Sequence, residues 1–369
     1  MKRKSFLILG LCAAVLAIAA GGTLLARKPP VRYQLTVLPT LGGFRTDPHS
    51  INDRGQVVGV SETPTGAVYA FLWDREQGFR TLERFDDPPH AGGLTINNLG
   101  QIIGTMADPN GNQRAYFWDL NTGRHLLGAL GGKQSAAEGL NNKGQVVGSA
   151  EVPARYRHGF VWDAVHGMQD LGTLGGPSSS ALSINDSGQI VGLAETSARR
   201  THVVVWEPNP QDAESPLTYR KTDLGYAGVG PLTCEINNNG LVMRRFGTTA
   251  GKTYFMTWTK ATGPRTLDFV VDSALPIGLN ERNQFLIRAK PTGLRMFGRV
   301  FNRHHQGYLW DPNEGAILLE SRMPVQDIQH FTVRETNNKG QIIASLQTGD
   351  SNQIRAVLLE EEEGKKVRK

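Results

Sequence analysis

Apolar and polar positions along this chain alternate in short bursts. Runs such as "GQIVG", "AFLWD" and "MQDLGTL" are separated by turns rich in glycine and asparagine. Stretches so full of β-branched residues, Gly and Asn are poor helix formers, and their length suits strands. The bursts also recur. "INDRGQVVG" at 51, "INNLGQIIG" at 96, "LNNKGQVVG" at 140, "INDSGQIVG" at 184, "INNNGLVMR" at 236, "LNERNQFLI" at 279 and "TNNKGQIIA" at 336 are copies of one motif. Their asparagines are Asn52, Asn97, Asn141, Asn185, Asn237, Asn280 and Asn337, mostly 43 to 45 residues apart. That period is the one expected of four-stranded propeller blades.

Each unit divides into four strands. The first ends at the Asn, and Asn-Asp/Asn-x-Gly then forms a tight turn in which glycine takes the positive φ that a hairpin of this type requires. "GQIVG" and its relatives form the second strand. The third carries a tryptophan, as in "AFLWD", "AYFWD", "GFVWD", "VVVWE", "FMTWT" and "GYLWD", placed 21 residues beyond the Asn in the first five units. A glycine five residues after the Trp (Gly78, Gly123, Gly167, Gly263, Gly315) closes a second hairpin, and a fourth strand follows. The seventh unit ends after its third strand, "RAVLLE", whereas "YQLTVLPTLGG" precedes the first unit and aligns with "GMQDLGTLGG". Lending Tyr33 to Leu38 to the last blade joins the two ends and removes the exposed sheet edges of an open array. The expected fold is therefore all-β: a seven-bladed β-propeller of four-stranded antiparallel blades over residues 31–360, with the ring closed by the N-terminal strand.

Strand alternation then assigns faces. The Ile, Leu or Thr before each Asn is expected between blades. The residue before that (Ser50, Thr95, Gly139, Ser183, Glu235, Gly278 or Glu335) is expected to line the axis. Trp73, Trp118, Trp162, Trp206, Trp258 and Trp310 are expected as core between blades.

"LGTLGG", "INDSGQIVG" and "AFLWD" together resemble the extracellular HAF-repeat family, which takes its name from a His-Ala-Phe triplet just before Trp-Asp. The resemblance covers roughly residues 33–359. The triplet here reads "YAF", "RAYF" and "HGF", and units five and six keep little beyond Asn and Trp. The resemblance implies an exported repeat protein with no catalytic residues to carry over.

Composition adds location. Lys2, Arg3 and Lys4 precede an apolar run from Phe6 to Ala26, long enough to span a bilayer, and Ala17-Ile18-Ala19 also offers a small-x-small cleavage pattern. Residues 1–30 thus read as a signal peptide or an N-terminal membrane anchor. Under either reading the remaining chain is exported, periplasmic or extracellular, touching the membrane only through residues 6–26. Cys12 and Cys234 are the two cysteines, so no disulfide framework or thiolate metal site is expected. Net charge is 40 − 34 = +6, and +3 without Lys2, Arg3 and Lys4, too weak to argue for nucleic acid. Residues 361–369, "EEEGKKVRK", form a charged tail.

Chemistry is sparse. Asn-Asp-x-Gly resembles a calcium loop, but "INNLG" and "LNNKG" lack the carboxylates a hard cation needs, so no metal or other cofactor is expected. Glu235 and Glu335 are the two acids at the axis-lining position and are the pair a glycoside hydrolase or lyase acting on an acidic glycan would use. The loops between second and third strands share one rim with the links between blades, where propellers commonly bind ligands. These loops carry "RYRH" (155–158), "RRTH" (199–202) and the long "KPTGLRMFGRVFNRHH" (290–305). Arg155, Arg157, His158, Arg200, His202, Arg303 and His304 thus repeat one theme on three blades, and arginine forks suit carboxylate, phosphate or sulfate groups. The expected role is a ligand- or protein-binding or scaffolding module at the cell envelope, with an anionic ligand or an acidic envelope protein as partner. The alternative is the propeller hydrolase or lyase.

Overall fold

The computed structural model describes residues 31–362 apart from 86–93, 210–217, 230–231, 248–252, 271–273, 290–294, 297–298, 301–305 and 350. The expected signal or anchor, Arg303 and His304 lie outside the described residues. Among the described residues no helix is long and apolar enough to cross a membrane.

Seven four-stranded antiparallel sheets form the ring. Blade 1 runs outward from the axis through Thr46–Ile51, Val57–Glu62, Val68–Asp74 and Gly78–Phe85, here called strands a to d of a blade. Blades 2 to 6 repeat this order, with strands a at Thr95–Ile96, Ser135–Leu140, Gly175–Ile184, Cys234–Ile236 and Leu275–Ile277. Blade 7 takes strands a to c from Ile328–Thr336, Ile342–Thr348 and Arg355–Glu361, and its strand d is Tyr33–Val37 from the start of the chain. Tyr33 pairs with Glu361 and Val37 with Val357, so the ends are stitched in antiparallel register.

The a–b and c–d turns lie on one face of the ring, the b–c loops and the links between blades on the other. In the a–b turn Gly55, Gly100, Gly144, Gly188, Gly240 and Gly340 all have φ between 71° and 84°, a region that disfavours side chains. The glycine that ends "GQIVG" has a different cause. A Cβ on Gly148 or Gly192 would lie 2.0 or 2.1 Å from a carbonyl oxygen of strand a, so strand b approaches too closely for any side chain. Blades 5, 6 and 7 carry Arg244, Ile287 and Ala344 at that position.

The core lies between blades. Trp206 is fully buried among Val147, Val161, Ala181 and Ile190, and its Nε1 donates to the Leu171 carbonyl at 3.1 Å. Phe117 of blade 2 meets Trp162 of blade 3 with ring centroids 5.4 Å apart. Where the ring closes, Ile51, Phe71 and Trp73 of blade 1 pack on Ile343, Ala356 and Leu358 of blade 7, and Leu38 joins them. Burying one large aromatic or aliphatic side chain at such a seam contributes about 2–3 kcal/mol.

Candidate functional site

The repeated asparagine supplies the axis. Its Nδ2 donates to the backbone carbonyl of the corresponding asparagine in the next blade: Asn52 to Asn97, Asn97 to Asn141, Asn141 to Asn185, Asn185 to Asn237, Asn237 to Asn280, Asn280 to Asn337, and Asn337 back to Asn52, all at 2.9–3.2 Å. The other N–H goes to the glutamine of its own "GQ", as from Asn141 to Gln145 at 2.8 Å. Oδ1 accepts two backbone N–H groups of its own turn, in Asn141 those of Lys143 and Gln145. Both donors and both lone pairs of the amide are therefore used, which no other side chain of this size can match. Blade 5 has Leu241 where the glutamine stands elsewhere. Asn237 donates instead to Oδ1 of Asn283, the residue that replaces the turn glycine in blade 6 with φ of 60°.

The residue after each asparagine forms a second belt. The backbone N–H of Asp53, Asn98, Asn142, Asp186, Asn238, Glu281 and Asn338 each donates to the side-chain oxygen of the next member, at 2.6–3.1 Å. These residues line a cavity of about 170 Å³ on the axis. Its carboxylates are already engaged: Asp53 accepts from the amides of Asn98 and Asn338, and Asp186 from those of Asn142 and Asn238. Burial pushes the Glu281 carboxyl up. Among the described residues no group of three or more His, Cys, Asp or Glu is placed to hold a metal ion.

The position expected to line the axis bridges blades. Ser50 and Ser183 accept the N–H of Ile96 and Ile236, and Glu235 accepts those of Gly278 and Leu279 at 2.9 and 2.6 Å. Glu335 accepts the Ile51 N–H at 2.8 Å across the closing seam. Burial pushes Glu335 up to about 7 against the hydrogen bonds from Ser50 and Ile51, and the nearby Glu235 charge adds to the rise. Burial likewise raises the Glu235 carboxyl. Both acids act as latches to the neighbouring blade, a use that strand alternation alone does not reveal.

The rim carries the arginines and histidines. His158 and Asp170 pair at 2.8 Å, and His202 and Asp223 at 2.9 Å, each tying strand c to strand d of its own blade. Those histidines stand four residues before Trp162 and Trp206, and their aspartates also hold the N–H of Gly172 and Gly225. Arg157 donates to the hydroxyl and the carbonyl of Ser149. Arg155 and Arg200 are exposed on the b–c loops. Sequence reasoning missed Arg199. It donates its backbone N–H to Thr196 as Arg155 does to Val152, at 2.8 and 2.9 Å, and the two have φ of 57° and 62°. Blades 1 and 2 place Gly66 and Gly111 at that turn position, with φ of 83° and 77°. Aligning the loops by their turn rather than by their charges would have found it.

No family model matches the chain, and no curated protein matches it. Among solved structures it is similar to a puromycin-hydrolyzing peptidase of Mycobacterium tuberculosis (TM-score 0.53, 10% identity, covering 89% of this chain and 56% of that one). It is also similar to the acylaminoacyl peptidase of Pyrococcus horikoshii (TM-score 0.53, 10% identity, 90% and 52% covered) and to a chain of the mitotic checkpoint complex (TM-score 0.50, 13% identity, 91% and 98% covered). This chain spans about half the length of the two peptidases. At such identities the likeness shows the propeller fold and nothing further.

Proposed function

We propose that the protein is an exported binding or scaffolding module of the cell envelope, of the HAF-repeat kind, which takes an anionic ligand or an acidic partner on the b–c rim of blades 3 and 4. One observation carries the reading. Arg155 and Arg199 occupy, on adjacent blades, a left-handed turn position that blades 1 and 2 give to glycine. A non-glycine residue there costs about 1–2 kcal/mol, and backbone strain of this kind gathers where function requires it. Arg200 and the exposed Tyr156 follow them in the same two turns. Arg155, Arg199 and Arg200 are exposed there, and guanidinium groups offer forks to carboxylate, phosphate or sulfate oxygens.

Export rests on the basic, apolar start of the chain. The hydrolase or lyase reading draws on Glu335, whose carboxyl stands near 7 as a general acid's would. Its engagement with the Ile51 amide, and that of Glu235 with Gly278 and Leu279, favours the binding reading.

Binding of the full chain to immobilised dextran sulfate and to polygalacturonate tests both. The binding reading expects reversible retention that weakens with salt and is lost in Arg155→Ala/Arg199→Ala, with no new reducing ends. Retention equal in the double variant overturns it. Glycan cleavage abolished by Glu335→Gln would install the enzyme instead.

A further inference from the structure

The innermost strands carry bulges, and the bulged residue is not part of the repeat. In blades 1, 3, 4 and 7 the a–b ladder passes over one position, occupied by His49, Glu138, Leu182 and Arg334. A bulge leaves its extra residue unpaired and re-aims the side chain. Strand a lies nearest the axis and runs down it from the rim, so these four positions surround the rim-side mouth of the axis. Arg334 and His49 face each other across the closing seam, and further cations gather around them.

Arg334 of blade 7 reaches Asp47 of blade 1, Nη2 standing 3.6 Å from Oδ1. Asp47 is buried and already engaged, by the Ser345 hydroxyl at 2.7 Å and by the Arg45 guanidinium. The Nε of Arg334 is buried with no hydrogen-bond partner. Arg288 lies in strand b of blade 6, Phe285–Ala289, which packs on strand a of blade 7. Its guanidinium makes no hydrogen bond or ion pair among the described residues. Burial lowers the Arg288 pKa, and the Arg334 charge lowers it further. The sequence that continues from Arg288 to strand c, residues 289–305, contains no acid. Three guanidiniums thus share one carboxylate.

His49 adds a neutral donor. Burial holds it down at about 4, with the Arg334 charge adding to the fall, so the imidazole is uncharged at neutral pH. Its Nδ1 accepts the Leu94 N–H at 3.2 Å, which puts the ring proton on Nε2. The acid among the bulged residues, Glu138, stands on blade 3 and feels the charge of Arg157.

We propose that the rim-side mouth of the axis between blades 6, 7 and 1 is a separate anion site, which takes a phosphate or sulfate group between Arg288 and Arg334 with the Nε2–H of His49 as a neutral donor. Guanidinium forks suit such oxygens. Donors brought from three blades surround a ligand, and a tetrahedral oxyanion presents acceptors on every side where a carboxylate presents one edge. A bound anion also offsets the mutual repulsion of two partly buried guanidiniums and supplies the acceptor that Arg334 Nε lacks. This site is independent of the one proposed on the b–c turns of blades 3 and 4.

The test is calorimetric titration and thermal unfolding of the full chain at neutral pH, with sodium phosphate, sodium sulfate or, at equal ionic strength, sodium acetate. Arg288→Gln is the informative variant, because Arg288 has no partner in the fold to lose. Without added anion it should unfold at no lower temperature than the parent. Phosphate and sulfate should bind the parent and raise its unfolding temperature, and acetate should do neither. Arg288→Gln should lose the thermal gain and about tenfold or more in affinity, Arg288→Lys should keep part of both, and Arg155→Gly/Arg199→Gly should keep all of both. A parent that binds neither anion, or an Arg288→Gln chain that binds them as the parent does, overturns the proposal. Binding lost in Arg155→Gly/Arg199→Gly and kept in Arg288→Gln also overturns it, and leaves the site on blades 3 and 4 standing.

Discussion

At the scale of single residues, the motif reads as a set of solved hydrogen-bonding problems. Asn141 serves the Lys143 and Gln145 N–H groups, the Gln145 side chain and the Asn185 carbonyl at once. Asn141→Ala leaves several buried groups unpaired and is expected to cost about 3 kcal/mol in denaturant unfolding. Asn141→Asp keeps the shape but sets a carboxylate oxygen against two acceptors, so it should cost more at neutral pH. Its deficit should shrink as acid protonates the new carboxyl, and a deficit that is smaller than alanine's or independent of pH would contradict the belt. Glu335 gives a second titration. Its folded carboxyl stands at about 7, above the ordinary value near 4.5, so the native state holds the extra proton. The stability this contributes is complete below about 4.5 and is lost as pH rises through 7. Glu335→Gln should flatten that part of the stability–pH curve and leave the variant more stable than the parent at pH 8. An unchanged slope would mean that the latch does not titrate. None of these partnerships was legible in the sequence beyond the asparagine's recurrence, because a bond between residues 44 apart depends on the ring's curvature rather than on any local pattern.

At the scale of elements, the strand count and the turns were readable because each has a local cause. Positive φ at Gly55 and its counterparts, and alternation along "AFLWD", act within a few residues. Blades 5 and 6 depart from the motif, blade 5 replacing the glutamine with Leu241 and blade 6 the glycine with Asn283. The structure keeps four strands in each, with Asn283 completing the link that Leu241 cannot make. The rim histidines expected on the b–c loops stand instead at the start of strand c, His158 in Arg157–Asp163 and His202 in Thr201–Pro208. Their capture by Asp170 and Asp223 required knowing how strands c and d pair. Closure gives the sharpest expectation at this scale. Removing residues 33–37 exposes strand Arg355–Glu361, with Val357, Leu358 and Leu359, as an unpaired edge. Such a chain should unfold at distinctly lower temperature and self-associate in sedimentation. A monomer as heat-resistant as the parent would show that the strand is dispensable.

At the scale of the whole molecule, the residues written seven times hold the ring, and we propose that exposed departures from the repeat meet other molecules. Arg155 and Arg199 are such departures, on the rim. The most direct measurement of that division is a titration of Arg155→Gly/Arg199→Gly with dextran sulfate, alongside its thermal unfolding. Glycine is what blades 1 and 2 use at this turn, so the account predicts a fold at least as stable as the parent and an affinity lower by about tenfold or more, since each lost charged hydrogen bond is worth about 1.5–3 kcal/mol. A double glycine variant that binds as tightly as the parent would contradict it.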